Sequence, residues 1–183
     1  MKPTISPARR LFFALWPDQF TRQALVRTTQ AAVQRVGGRA VPPRNYHITL
    51  AFLGNQPIAL FDRIVAAGRQ VSAPPMELWL DAFDCWPRPR VFWFGPAKFP
   101  PALASLSADL WAQMEILGLP RDQRALRPHL TLARKVQRLP ELAAPTPVQW
   151  PVSAFTLIES ISGDPGPEYS VVARFPLGSP HDP

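Results

Sequence analysis

His47 and Thr49, and again His129 and Thr131, stand two residues apart in the runs Tyr46-His47-Ile48-Thr49-Leu50 and Pro128-His129-Leu130-Thr131-Leu132. The chain holds only three histidines, and two of them sit in the same pattern, His-aliphatic-Thr-Leu. Two imidazoles that titrate near neutral pH, one neutral and one protonated, can take a proton at one atom while delivering one at another. A hydroxyl one pleat away from each ring can donate to an anionic oxygen and stabilise charge in a five-coordinate transition state. Such a quartet suits displacement at the phosphorus of a cyclic phosphodiester: a base for water, an acid for the departing ribose oxygen, two hydroxyls for the non-bridging oxygens. No closely spaced His, Cys, Asp or Glu set with metal-ligand spacing accompanies it, and neither a GxxxxGK[ST] phosphate loop nor a GxSxG turn is present. Acid–base chemistry without metal or cofactor is the expectation.

Geometry requires both pairs to lie on strands. His47 to Leu53 and His129 to Ala133 alternate with period two, so each His shares a face with its Thr. Strict alternation places Ala51 on that face as well, and sends Ile48, Leu50 and Phe52 into a core. Two such strands side by side would bring both imidazoles and both hydroxyls to one cleft.

Other elements follow from pattern and punctuation. Leu11 to Trp16 reads as a buried strand, and Asp18 to Val36 as a helix with Phe20, Ala24, Thr28 and Ala31 on its apolar side, stopped by Gly37-Gly38. Gly54 is expected to end the first motif strand. Ile58 to Val71 and Pro101 to Leu117 have helical spacing. Met76 to Phe83 with Arg90 to Phe94, and Val148 to Ser160 with Tyr169 to Phe175, read as hairpins. The aromatics of the first hairpin, Trp79, Phe83, Trp86, Phe92, Trp93 and Phe94, fit a sheet face or core better than an RNA stacking platform. This order predicts an α+β fold of two pseudo-symmetric lobes, each an antiparallel sheet with helices on one face, with the active-site cleft between them. The expected boundaries are a flexible N-terminus over 1–9, one bilobed domain over 10–176 and a flexible tail over 177–183, in which His181 has no role.

Composition narrows the partners. With 183 residues, 46% of them hydrophobic, the chain can bury a core despite its 24 prolines. Twenty Lys and Arg against thirteen Asp and Glu give a net charge of +7, which favours an anionic partner such as RNA, although no dense basic run exists. Arg121, Arg124 and Arg127, just ahead of His129, are placed to steer an anion or simply to solvate a loop. The single cysteine, Cys85, forms no internal disulfide. No apolar run is long enough for a membrane helix and the first residues do not resemble a signal peptide, so a cytoplasmic monomer with no membrane partner is expected.

At Arg10-Leu11-Phe12-Phe13-Ala14-Leu15, Asn45-Tyr46-His47-Ile48-Thr49-Leu50-Ala51-Phe52-Leu53-Gly54 and Arg127-Pro128-His129-Leu130-Thr131-Leu132-Ala133-Arg134, the chain resembles the two-histidine phosphoesterase superfamily. The likeness is greatest to its RNA 2′,3′-cyclic phosphodiesterase branch, also called 2′-5′ RNA ligases. The resemblance implies hydrolysis of RNA 2′,3′-cyclic phosphate ends to 2′-phosphates, with reversible 2′-5′ joining in some members. The partners it implies are such RNA ends, tRNA fragments among them, or cyclic nucleotides. It implies His47 as the acid that protonates O3′ and His129 as the base that activates water, with Thr49 and Thr131 holding the phosphate. Arg134 matches an arginine of the second motif and is a candidate phosphate partner or a surface salt-bridge residue, and Phe13 is a candidate base contact or a core residue. Where members often have Arg-Trp before the first motif, this chain has Arg39-Ala40. Two other readings stand beside this one: an RNA-binding module without turnover, and a phosphodiesterase for a small cyclic nucleotide.

Overall fold

The computed structural model describes residues 8–137, 140–164 and 166–178. Most of the two expected tails, His181 included, lies outside the described residues. Of the tail residues that are described, Ala8 and Arg9 already belong to the first strand, and Leu177 is buried with its N–H on the Ser153 carbonyl.

In chain order the elements are β1 (Ala8–Leu15), α1 (Gln19–Val36), β2 (Arg39–Ala40), β3 (Ile48–Pro57), α2 (Phe61–Gly68), β4 (Met76–Leu80), β5 (Ala82–Trp86) and β6 (Val91–Gly95). They continue with α3 (Pro101–Ile116), β7 (Leu130–Arg134), β8 (Val148–Val152), β9 (Ala154–Ile161) and β10 (Glu168–Pro176). The main sheet is antiparallel, in the order β10-β9-β1-β3-β7-β6-β5, with β2 also on β7. The α+β expectation holds. Its two halves, β10-β9-β1-β3 and β7-β6-β5 with β2, meet at β3 and β7 through a single ladder pair, Ile48 with Leu130.

Local chemistry explains the elements and the places where pattern reading slipped. Asp18 caps α1 by accepting from the Thr21 N–H at 2.7 Å, satisfying a donor the helix cannot. The buried side of α1 is one residue on from the expected one: Thr21, Leu25, Thr29, Ala32 and Val36 face inward, and Phe20 is 81% exposed. Leu25 and Val36 set that phase, and the buried Thr29 hydroxyl is satisfied by donating to the Leu25 carbonyl. The two long hairpin strands each divide. Met76–Leu80 leaves the main sheet to pair with Val148–Val152 as a separate two-stranded sheet, while Ala82–Trp86 and Ala154–Ile161 stay in the main one. β3 does not stop at Gly54 but runs on to Pro57, paired with β1 throughout.

One face of the sheet carries the core. Leu11, Phe13 and Leu15 of β1 join Ile48 and Leu50 of β3, Leu130 and Leu132 of β7, and the inward sides of α1 and α3. Phe12, Ala14 and Ile158 form a small cluster elsewhere, with Trp16 and Tyr169 packed on it. Period two sends alternate side chains of β1 to opposite faces, so one strand serves the core and the cleft at once.

Candidate active site

Antiparallel register at the seam settles how the four motif side chains meet. With Ile48 opposite Leu130, one step along each strand sets His47 against Thr131 and Thr49 against His129. The imidazoles therefore lie on one diagonal and the hydroxyls on the other, related by a local twofold axis.

Both motif strands then break the alternation at the same place. In β3, Thr49 lies opposite Ala14 and Ala51 opposite Phe13, so Leu50 is an extra residue. In β7, Thr131 lies opposite Trp93 and Ala133 opposite Phe92, so Leu132 is the extra residue. Each is a β-bulge, which re-aims the side chains that follow it. The expected faces after Thr49 are thereby reversed: Ala51 is 2% exposed in the core, and Phe52 is 40% exposed on the cleft side. In β7 the same device buries Ala133 and turns Arg134 outward. Phe52 and Arg134, each three residues beyond its threonine, both line the cavity beside His47. The carbonyl of each extra residue is satisfied from outside the motif: Leu50 accepts from the buried Ser107 hydroxyl of α3, and Leu132 from the Val41 N–H, each at 2.8 Å.

The two rings are held alike. His47 Nδ1 lies 2.7 Å from the Asn45 carbonyl and His129 Nδ1 lies 2.6 Å from the Arg127 carbonyl. A carbonyl only accepts, so each Nδ1 carries a hydrogen and each Nε2 is the nitrogen left to exchange protons. Asn45 is itself buried, and its amide donates to the Pro167 carbonyl, tying the β9–β10 connection to the first motif.

Their surroundings differ. His47 is packed by Phe12 at 5.1 Å, Tyr169 at 5.2 Å and a stacked Trp16 at 5.9 Å between centroids. This burial is the largest influence on the ring and, together with the charges of His129 and Arg134, pushes its pKa down to about 4 despite the bond to Asn45. His129 meets Trp86 edge-on at 4.5 Å and Trp93 at 6.4 Å. Its pKa is also lowered, first by burial and then by Arg134, against the bond to Arg127. Arg134 thus acts on both rings.

The structure gathers His47, Thr49, His129, Thr131 and Arg134 about the seam. Phe13 is a correction: it is 0% exposed, with its ring on Phe155 and Phe175 in the core, so it cannot touch a ligand in the cleft. Its neighbour Phe12 faces the cleft instead, along with Phe52, Tyr169 and Arg10, whose guanidinium lies 4.9 Å from the Phe52 ring. Parity along β1 could have chosen between Phe12 and Phe13 had the inward phase been fixed by Leu11 and Leu15. No local signal marks Tyr169. Among the described residues no group of three or more His, Cys, Asp or Glu could hold a metal ion.

A phosphate held at this seam would find an Nε2 on each side, hydroxyls on the crossing diagonal and the guanidinium groups of Arg134 and Arg10 in the same cleft. Comparisons with known proteins agree with that geometry. The family described as the 2′-5′ RNA ligase superfamily matches residues 17–164. An RNA 2′,3′-cyclic phosphodiesterase of Thermus thermophilus is 31% identical, over 94% of this chain and 92% of its own length. Another, of Escherichia coli, is 29% identical over 94% of this chain and 99% of its own. The crystal structure of E. coli LigT complexed with 3′-AMP superposes with a TM-score of 0.86 at 28% identity, covering 94% of this chain and all of that one. With the family match spanning most of the sequence and the paired motifs meeting across one seam, the chain belongs to the 2′-5′ RNA ligase superfamily.

Proposed function

We propose that this chain hydrolyses RNA 2′,3′-cyclic phosphate ends to 2′-phosphates, with His47 and His129 as the acid–base pair. The observation that carries this reading is the diagonal placement of two imidazoles, each with Nδ1 on a carbonyl and Nε2 free. In the reaction, one Nε2 takes a proton from water as its oxygen bonds to phosphorus, and the other Nε2–H protonates O3′ as the P–O3′ bond breaks. Thr49 and Thr131 donate to the non-bridging oxygens, and Arg134 pairs with their growing charge. No step calls on a metal or cofactor. A 5′-hydroxyl entering in place of water would give a 2′-5′ linkage by the same proton transfers.

Electrostatics favour an anionic substrate. In the free protein, burial and the Arg134 charge hold both rings toward neutrality. A phosphodiester anion between them offsets that positive charge and helps one ring keep its proton. The resemblance makes His47 the acid, which requires bound phosphate to lift His47 above His129.

The test is turnover of 2′,3′-cyclic nucleotides and of a short RNA with a 2′,3′-cyclic end, in EDTA, with 2′- and 3′-phosphate products separated. Formation of 2′-phosphate by wild type, lost in both His47→Ala and His129→Ala, is the expected result. Salt-sensitive RNA binding without product would instead make the chain a binding module.

A further inference from the structure

Besides the cavity at His47, a second and larger hollow of about 1100 Å³ opens on the His129 side. Thr49 and Phe52 line both, so the two adjoin at the catalytic seam. One wall is the β5–β6 hairpin with Trp86 and Arg88, and the other is the loop ahead of β7 with Arg121, Arg124 and Arg127. Arg124 is neutralised by Asp122 at 2.7 Å. Arg88, Arg121 and Arg127 are exposed, and among the described residues none has a carboxylate partner. Trp86 and Trp93 pack on each other at 5.5 Å beside His129.

A cyclic mononucleotide has one phosphate and does not need both hollows. Unpaired guanidinium groups strung beside an aromatic shelf fit a chain of phosphates with bases that stack. We propose that this groove holds the sugar–phosphate backbone of single-stranded RNA, with Arg88 and Arg121 on its phosphates and Trp86 as a shelf for a base. The proposal rests on the phosphodiesterase reading and adds to it the length of the substrate. The strand is either the one that carries the cyclic end or a second one presenting a 5′-hydroxyl, since the backbone chemistry is the same.

The experiment compares wild type with the double variant Arg88→Gln/Arg121→Gln on a cyclic mononucleotide and on a hexanucleotide with a cyclic end. Mononucleotide turnover should change less than about twofold, which also reports that the variant is folded. If the groove holds the reacting strand, wild type prefers the hexamer and the variant loses about tenfold of its kcat/KM. The slope of log kcat/KM against log salt then flattens by about 1.4, from about 0.7 for each of two phosphate contacts. If it holds a second strand, a hexamer lacking the cyclic phosphate binds alongside the mononucleotide without competing, and the variant binds it about tenfold more weakly. Equal hexamer binding, hexamer turnover and salt slope in wild type and variant would overturn the proposal. Absence of turnover on both substrates would instead overturn the phosphodiesterase reading, and fluorescence anisotropy of the labelled hexamer against the two proteins would still decide the groove.

Discussion

Around His47 a phenylalanine, a tyrosine and a stacked tryptophan enclose the ring; around His129 two indoles pack on the ring, and one of them, Trp86, also lines a basic groove. The backbone beneath them is the same: a carbonyl two residues back on Nδ1, a threonine two residues on, and a bulge immediately after it. What repeats is what proton transfer requires, namely the tautomer and the position of each ring. What differs is solvation, which sets when each ring gives up its proton. At the position three residues past the threonine, one half offers Phe52 and the other Arg134, and both line the cavity beside His47. Duplicate geometry with unequal surroundings suits two groups that need opposite protonation states at one pH.

The sharpest way to break this comparison is to remove one ring at a time. His47→Ala and His129→Ala should each lower kcat by about 10²- to 10⁴-fold. A cyclic substrate with sulfur in place of O3′, whose thiolate leaves without a proton, should restore activity to the acid variant and not to the base variant. Initial rates on the two substrates give the assignment. Thr49→Val and Thr131→Val come next, at about 10²-fold in kcat with little change in KM, because the hydroxyls act on charge that grows in the transition state. A much larger loss at one threonine would show that the diagonal is used unequally.

Smaller effects sharpen the electrostatic contrast. Catalysis needs one ring protonated and the other neutral. Below about pH 4 both rings of the free protein are protonated, and above the lowered pKa of His129 both are neutral. The kcat/KM profile should therefore rise through about pH 4, peak below the ordinary histidine value of 6.5, and fall on its alkaline side. Arg134→Gln removes a charge that depresses both rings, so the profile should move to higher pH while KM rises about tenfold. Smallest is Gly95→Ala. A Cβ there would lie 2.8 Å from the Pro128 carbonyl and 2.9 Å from the Trp93 ring, so only the His129 side is disturbed. A stability loss of about 1–3 kcal/mol by urea denaturation is expected, with the NMR titration of His129 changed and that of His47 unchanged.

The duplicated His-x-Thr pair made the quartet legible, because strand parity is a local property and both motifs are flanked by aliphatic residues that fix it. Most element positions were legible for the same reason: Asp18 and Gly37 bracket α1, and turn residues separate the strands. Parity failed at Leu50 and Leu132, where an extra residue is accommodated by Ser107 from α3 and Val41 before β3, partners that sequence distance conceals. That is why Phe52 was expected in the core. Phe13 was left between the base and the core for another reason: two adjacent phenylalanines have opposite parity, and only the tertiary positions of Leu11 and Leu15 say which is inward. Tyr169 and Trp93 reach the site through pairings set by the whole sheet, to which no short stretch bears witness.

The seam has a consequence for ancestry. His47 faces Thr131 and His129 faces Thr49, so each half of the sheet supplies one ring and the hydroxyl that stands opposite the other half's ring. A half-length forebear carrying a single motif would have had an incomplete site, and two identical copies about a twofold axis would have had a complete one. Gene fusion would then have freed the copies to diverge, until one wrapped its histidine in aromatic rings and the other opened beside a row of arginines.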